Sequence, residues 1–100
     1  MKVLAIEKKT AAKGDEIDHN LLIREAQKAY ELYSDHVIRE IYFNDEHNAV
    51  IIMECETKGE AEAFLNELPL VKEGYISFDL MELHPYMGFS RLFDDSLIYE

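Results

Sequence analysis

The sequence predicts an α+β domain in which two helices cover one face of a four-stranded antiparallel sheet. Three observations carry that expectation. The chain is 100 residues long, the size of one domain. Its 48% apolar and 31% charged content is that of a globular chain rather than a disordered one. Four β-patterned runs and two helical ones follow one another as strand–helix–strand–strand–helix–strand, with no internal repeat and no linker.

Residues 2–8 (Lys-Val-Leu-Ala-Ile-Glu-Lys) form the first expected strand. Gly14 and Asp15 announce a helix, and Asp15 or Asp18 is placed to cap it, since a short carboxylate reaches the free amides of a first turn. Leu22, Ile23, Ala26, Ala29, Tyr30 and Tyr33 then recur at helical spacing as its apolar stripe, which ends at Ser34 and Asp35. Residues 36–43 form the second strand, and residues 44–48 a polar hairpin loop. Residues 49–56 open with five apolar residues in succession, the pattern of a central strand. Thr57, with Glu60 three residues on, makes a capping box for the second helix, whose apolar face is Ala61, Phe64, Leu65 and Leu68. Pro69 is expected to stop it. Gly74 opens the last strand, Tyr75 to about Leu83, and Pro85 ends it.

This order gives two right-handed crossovers around one hairpin, a ferredoxin-like βαββαβ layer. The sheet face away from the helices then has no cover from its own chain. A solvated face reads polar at every second position. In the third strand, however, one parity holds Ala49, Ile51, Met53 and Cys55, and the other Val50, Ile52, Glu54 and Glu56. In the fourth, one parity holds Ile76, Phe78, Leu80, Glu82 and His84, and the other Tyr75, Ser77, Asp79, Met81 and Leu83. Whichever parity faces the helices, the open face keeps large apolar groups, more than a soluble monomer leaves wet. The expectation is a homodimer joined sheet to sheet, a dimeric α+β barrel. Residues 1–86 are its ferredoxin-like domain, and the tail of residues 87–100, too short for a core of its own, packs on the partner subunit.

The formal charge of −11 excludes a nucleic-acid binder, which needs a basic face, and disfavours anionic membrane surfaces. Residues 1–14 are the exception. Four lysines against Glu7 leave them at +3, a patch able to steer an anionic ligand. No apolar run reaches the roughly 20 residues of a membrane span. The chain enters its first strand at once, so no secretory signal is expected. Cys55 is the single cysteine, which excludes an internal disulfide and suits a reducing, cytoplasmic setting.

Leu68-Pro69-Leu70 after the second helix, the strand that follows, and His84-Pro85 at its end resemble the muconolactone isomerase family, as does the second strand with Arg39, Ile41 and Tyr42. The resemblance is spread over most of residues 1–86. It implies a dimeric α+β barrel and a cofactor-free shift of a proton and double bond in an unsaturated lactone. The tail from Tyr86 onward departs from the short polar end of that family, and the resemblance carries no catalytic residue onto this chain.

The candidate site residues come from polar groups set into apolar strands. The chain has no Gly-rich phosphate loop, His-Glu-x-x-His or Cys-x-x-Cys, and its four histidines lack local metal-ligand spacing, so neither cofactor nor metal is expected. Glu54, Asp79 and His84 are the candidate proton-transfer groups. A carboxylate in an apolar barrel has its pKa raised toward neutrality, and an imidazole works there unaided. Arg39, Tyr42 and Glu82 are the candidate binding residues. Arg39 offers a bidentate fork to a small anionic, aromatic-derived ligand, and Glu82 shares a strand face with His84. Plainer readings stand beside these. Arg39 with Glu54 or Asp79 is equally an ion pair that fixes register, Glu82 and His84 mark a strand end, and Cys55 is a small buried apolar residue. The functional expectation is a small cofactor-free isomerase. A non-catalytic ligand-binding or assembly module and a cofactor-free monooxygenase are the alternatives.

Overall fold

A computed structural model of the protein describes residues 1–10 and 16–93. Four strands, β1 (Lys2–Lys9), β2 (Ile38–Phe43), β3 (Ala49–Glu54) and β4 (Ile76–Leu83), form one sheet in the order β2-β3-β1-β4. All three pairings are antiparallel. With helices α1 (His19–Ser34) and α2 (Lys58–Leu65), this is the expected ferredoxin-like layer, the subunit fold of dimeric α+β barrels. The β1–β3 and β1–β4 registers settle which parity faces where. Val3 lies between Met53 and Glu82, and Ala5 between Ile51 and Leu80. Val3, Ala5, Ile51 and Met53 are buried with Leu32, Ala61, Leu65 and Leu68 from the helical layer, so this is the covered face.

The open face carries Leu4 and Ile6 of β1, Val50 and Ile52 of β3, and Met81 and Leu83 of β4. Met81 is 60% exposed. Charged pairs ring this apolar centre: Lys8 with Asp79 at 2.9 Å, and the Met1 amine with Glu54. The uncovered apolar face that the strand parities foretell is therefore present.

Local signals succeed where one side chain decides the geometry. The Thr57 hydroxyl accepts from Glu60 N at 3.0 Å, a cap of about 1 kcal/mol. Glu60 reaches back to Glu56 N rather than to the cap residue itself. Asp18 is the N-cap of α1, but it caps through its backbone carbonyl, which accepts from Leu21 N and Leu22 N, and its carboxylate makes no capping bond. The other candidate cap, Asp15, lies outside the described residues.

Three expectations are corrected. The buried side of α1 is Leu21 and Leu32, with Glu25 and Ala29 half-buried between them, while Leu22, Ile23, Tyr30 and Tyr33 are exposed. A stripe this broad does not say which of its edges meets the sheet. Pro69 does not stop α2, which ends at Leu65; it starts a short helix, α3 (Pro69–Lys72), where its missing N–H costs nothing. The second strand begins at Ile38, because His36 adopts φ 66° and the register slips between Ile38 and Glu40, leaving Arg39 at a bulge.

After β4 the chain makes a 3-10 turn, Gly88–Leu92. Tyr86 packs edge-on against Phe89 and lies so close to Gly88 that a Cβ there would collide with its ring. Tyr86, Met87, Phe89, Leu92 and Phe93 are all exposed, so the chain's own body does not bury this segment. The rest of the tail, with Leu97, Ile98 and Tyr99, lies outside the described residues.

Candidate functional site

At one corner of the open face, Lys2 of β1 is flanked by Glu54 of β3 and Leu83 of β4. Three strand ends thus bring a cation and a carboxylate into one row. His84 and Pro85 continue from β4 past this row. Met1, Lys2, Glu54, Leu83, His84 and Pro85 line a cleft of about 500 Å³, within the size range of small-molecule sites.

Glu54 Oε2 lies 2.5 Å from the Met1 α-amino group. That hydrogen bond, with the positive charges of the amine, Lys2 and Arg39, holds the Glu54 carboxyl below the usual glutamate range, although some burial opposes it. The rise expected for a carboxylate in an apolar barrel is thus not found in the single subunit, where cations outweigh desolvation. His84 Nε2 lies 3.7 Å from Glu82 Oε1, so the pair that shares a parity also meets in space. Glu82 stands opposite Val3, on the helix-facing side of the sheet, the face away from Glu54.

Glu54 and His84 therefore line one cleft, Glu82 reaches His84 from the other face of the sheet, and Arg39 acts on Glu54 through its charge. Asp79 and Tyr42 stand apart. Asp79 faces Ile6, four residues along β1 from the Lys2 row, or about 13 Å at the rise of a strand. It is paired with Lys8. Tyr42 faces Val50, four residues along β3 from Glu54. Its hydroxyl donates to Glu40 Oε1 at 2.7 Å, which raises the phenol's pKa. Arg39 lies on edge strand β2 and Asp79 on the opposite edge strand β4, so they cannot form a register pair. Cys55 is buried and its thiol pKa is pushed up by that burial, in keeping with a packing role.

Sequence reasoning passed over Lys2 and the Met1 amine as site groups. The excess of lysine in residues 1–14 was the available signal, but only the register of β1 places Lys2 beside Glu54. Among the described residues, no three His, Cys, Asp or Glu side chains are grouped to hold a metal ion. No helix among them is long and apolar enough to cross a membrane.

No family model matches this chain, and no curated protein matches it in sequence. Its fold is similar to that of 5-chloro-2-hydroxyhydroquinone dehydrochlorinase (TftG) from Burkholderia phenoliruptrix AC1100, solved in complex with 2,5-dihydroxybenzoquinone. The TM-score is 0.56 at 18% identity, over 84% of this chain and 94% of the dehydrochlorinase. That likeness shows the fold, a four-stranded antiparallel sheet covered by helices on one face.

Proposed function

We propose that the protein is a small cofactor-free enzyme of the dimeric α+β barrel type that shifts a proton within an unsaturated lactone or related acid. The observation that carries the reading is the corner cleft, where Lys2, Glu54 and His84 converge on an apolar face open to a second subunit. Two open faces brought together enclose a chamber. The tail of residues 87–100, whose Met87, Phe89, Leu92 and Phe93 are exposed on their own body, packs on the partner subunit and closes it.

In this reading Glu54 takes a proton from the carbon next to the substrate carbonyl. The electron pair moves into a dienolate, whose charge Lys2 and Arg39 stabilise. His84, held by Glu82, returns a proton at the far end of the conjugated system, so the product is an isomer of the substrate. Covering by the second sheet removes water from Glu54 and raises its basicity toward the working range. Tyr42 belongs to the chamber wall as a binding group, and Asp79, tied to Lys8, to the dimer register. The hydroxylated quinone bound by the similarly folded dehydrochlorinase supports an oxygenated ring as ligand.

The test is turnover of muconolactone in D₂O, with deuterium uptake followed by NMR. Glu54→Gln and His84→Ala, with dimer and fold retained, are each expected to lose about 10²-fold or more, the scale of general acid–base catalysis. Unchanged exchange in both variants eliminates the assignment. A second reading, a ligand-binding module without turnover, is favoured by the Glu54–amine contact, which holds the carboxylate in a resting ion pair. Saturable lactone binding without deuterium uptake selects it.

A further inference from the structure

A second cleft, of about 360 Å³, lies at the opposite end of the sheet and on its other face. It borders Lys9, the last residue of β1, so it stands about 23 Å along that strand from Lys2. Its walls are Ile17, Leu22, Leu70 and Ile76, and the Phe43–His47 pair forms a shelf, the two rings stacked at 4.2 Å. At its polar end stands Glu7, at 8% exposure the one buried charged residue among those described.

Glu7 is matched on both oxygens. Oε1 accepts from Ala49 N at 2.8 Å, and Oε2 from Lys9 Nζ at 2.6 Å. Lys9 also donates to Asn48 Oδ1 at 2.8 Å, but its third contact, to the His47 carbonyl, is long at 3.4 Å. One ammonium proton is thus weakly used, and it belongs to a side chain that lines the cleft and is 60% exposed. A structural ion pair needs no cavity beside it. Here the carboxylate–ammonium pair forms the polar end of an apolar chamber with an aromatic shelf.

We infer that this cleft is a second small-molecule site, and that its ligand is a single aromatic ring bearing a hydroxyl group. The chemistry selects that class. The Glu7–Lys9 pair is neutral as a unit, so it does not favour an anion. A phenolic hydroxyl both accepts and donates: its oxygen accepts a hydrogen bond from the weakly used Lys9 N–H, and its O–H donates to a second lone pair of the Glu7 carboxylate. The ring lies on the Phe43–His47 shelf between Leu22 and Ile76, an offset stack of the kind aromatic pairs prefer. The volume admits one substituted ring.

The experiment is an NMR titration of the full chain with phenol, with benzoate and cyclohexanol in parallel. Phenol is expected to give saturable shifts confined to residues 7–10, 43–48 and 75–76, and to bind at least about tenfold tighter than either comparator. Lys9→Met removes a charge-assisted hydrogen bond and is expected to weaken phenol about tenfold or more. Leu22→Trp, at an exposed wall position that tolerates bulk, fills the cleft and is expected to abolish the shifts. Glu54→Gln leaves phenol binding unchanged. The inference is overturned if shifts are unsaturable, if they map to Lys2, Glu54 and His84 instead, if Leu22→Trp binds phenol normally, or if benzoate binds as tightly as phenol. None of these results bears on lactone turnover at the corner site.

Discussion

Met81 sits on the open face beside Leu4, on edge strand β4, and its replacement by Asp tests the proposed assembly directly. Full burial of a methionine side chain is worth about 1.5–3 kcal/mol. Met81 is 60% exposed in the single subunit, so covering it would add about 0.9–1.8 kcal/mol per protomer, or about 2–4 kcal/mol per symmetric dimer. At 1.4 kcal/mol per decade, Met81→Asp is expected to weaken the dimer by roughly 20- to 400-fold. The introduced carboxylate adds repulsion between protomers that each already carry −11. The fold should be untouched, since the substitution lies on the face away from the core. The assay is sedimentation equilibrium over a concentration series, with far-ultraviolet circular dichroism as the folding control. Ile23→Asp, on the outward side of α1, serves as the control for added charge. A wild-type chain that stays monomeric at micromolar concentration refutes the reasoning, as does a Met81→Asp variant whose dimer constant matches that of the wild type.

Two further outcomes are expected. Met53 is fully buried at the centre of the covered face, so Met53→Ala should cost about 2–5 kcal/mol in urea unfolding while leaving the open face unchanged; a loss below about 1 kcal/mol would place the core elsewhere. Glu25 is half-buried and accepts from Leu70 N at 2.9 Å, and burial, with the charge of Glu7 adding, raises its pKa above the ordinary 4.5. A carboxyl whose folded pKa is raised binds its proton more tightly in the folded state, so its ionisation penalises folding above that pKa and the penalty fades as pH falls toward 4.5. Glu25→Gln keeps an acceptor for Leu70 N and should raise Tm at pH 7, with the difference from wild type vanishing below pH 4.5; a lower Tm at pH 7 would contradict the desolvation argument.

The fold was legible because its signals are periodic. The lack of polar alternation in residues 49–56 and 75–83 announced an apolar open face before any register was known, and Thr57 with Glu60 marked a helix start that one hydroxyl enforces. Signals without a unique geometric reading were not legible. Leu21 and Leu22 are equally apolar, and only the docking of α1 on the sheet decides that Leu21 is inside. Pro69 is compatible with a helix end or a first turn, and the chain uses it as the latter. The candidate site was legible in part for the same reason. Glu82 and His84 lie two apart at the end of β4, a relation the sequence contains. The neighbourhood of Lys2, Glu54 and His84 depends on the offset of three strands, and the isolation of Asp79 depends on that same offset. Glu7 escaped notice because it reads as the polar end of a strand, while the hairpin that gives it Ala49 N, and gives Lys9 the Asn48 side chain, is about 40 residues away.

The bulge at Arg39 has a further effect. An edge strand with a regular ladder is a template on which other chains can polymerise into ribbons. β2 breaks its hydrogen-bonding rhythm within six residues and sets the ionic side chains of Arg39 and Glu40 at the break. Lateral growth along this edge is thereby discouraged, which favours the proposed closed pair over a fibre.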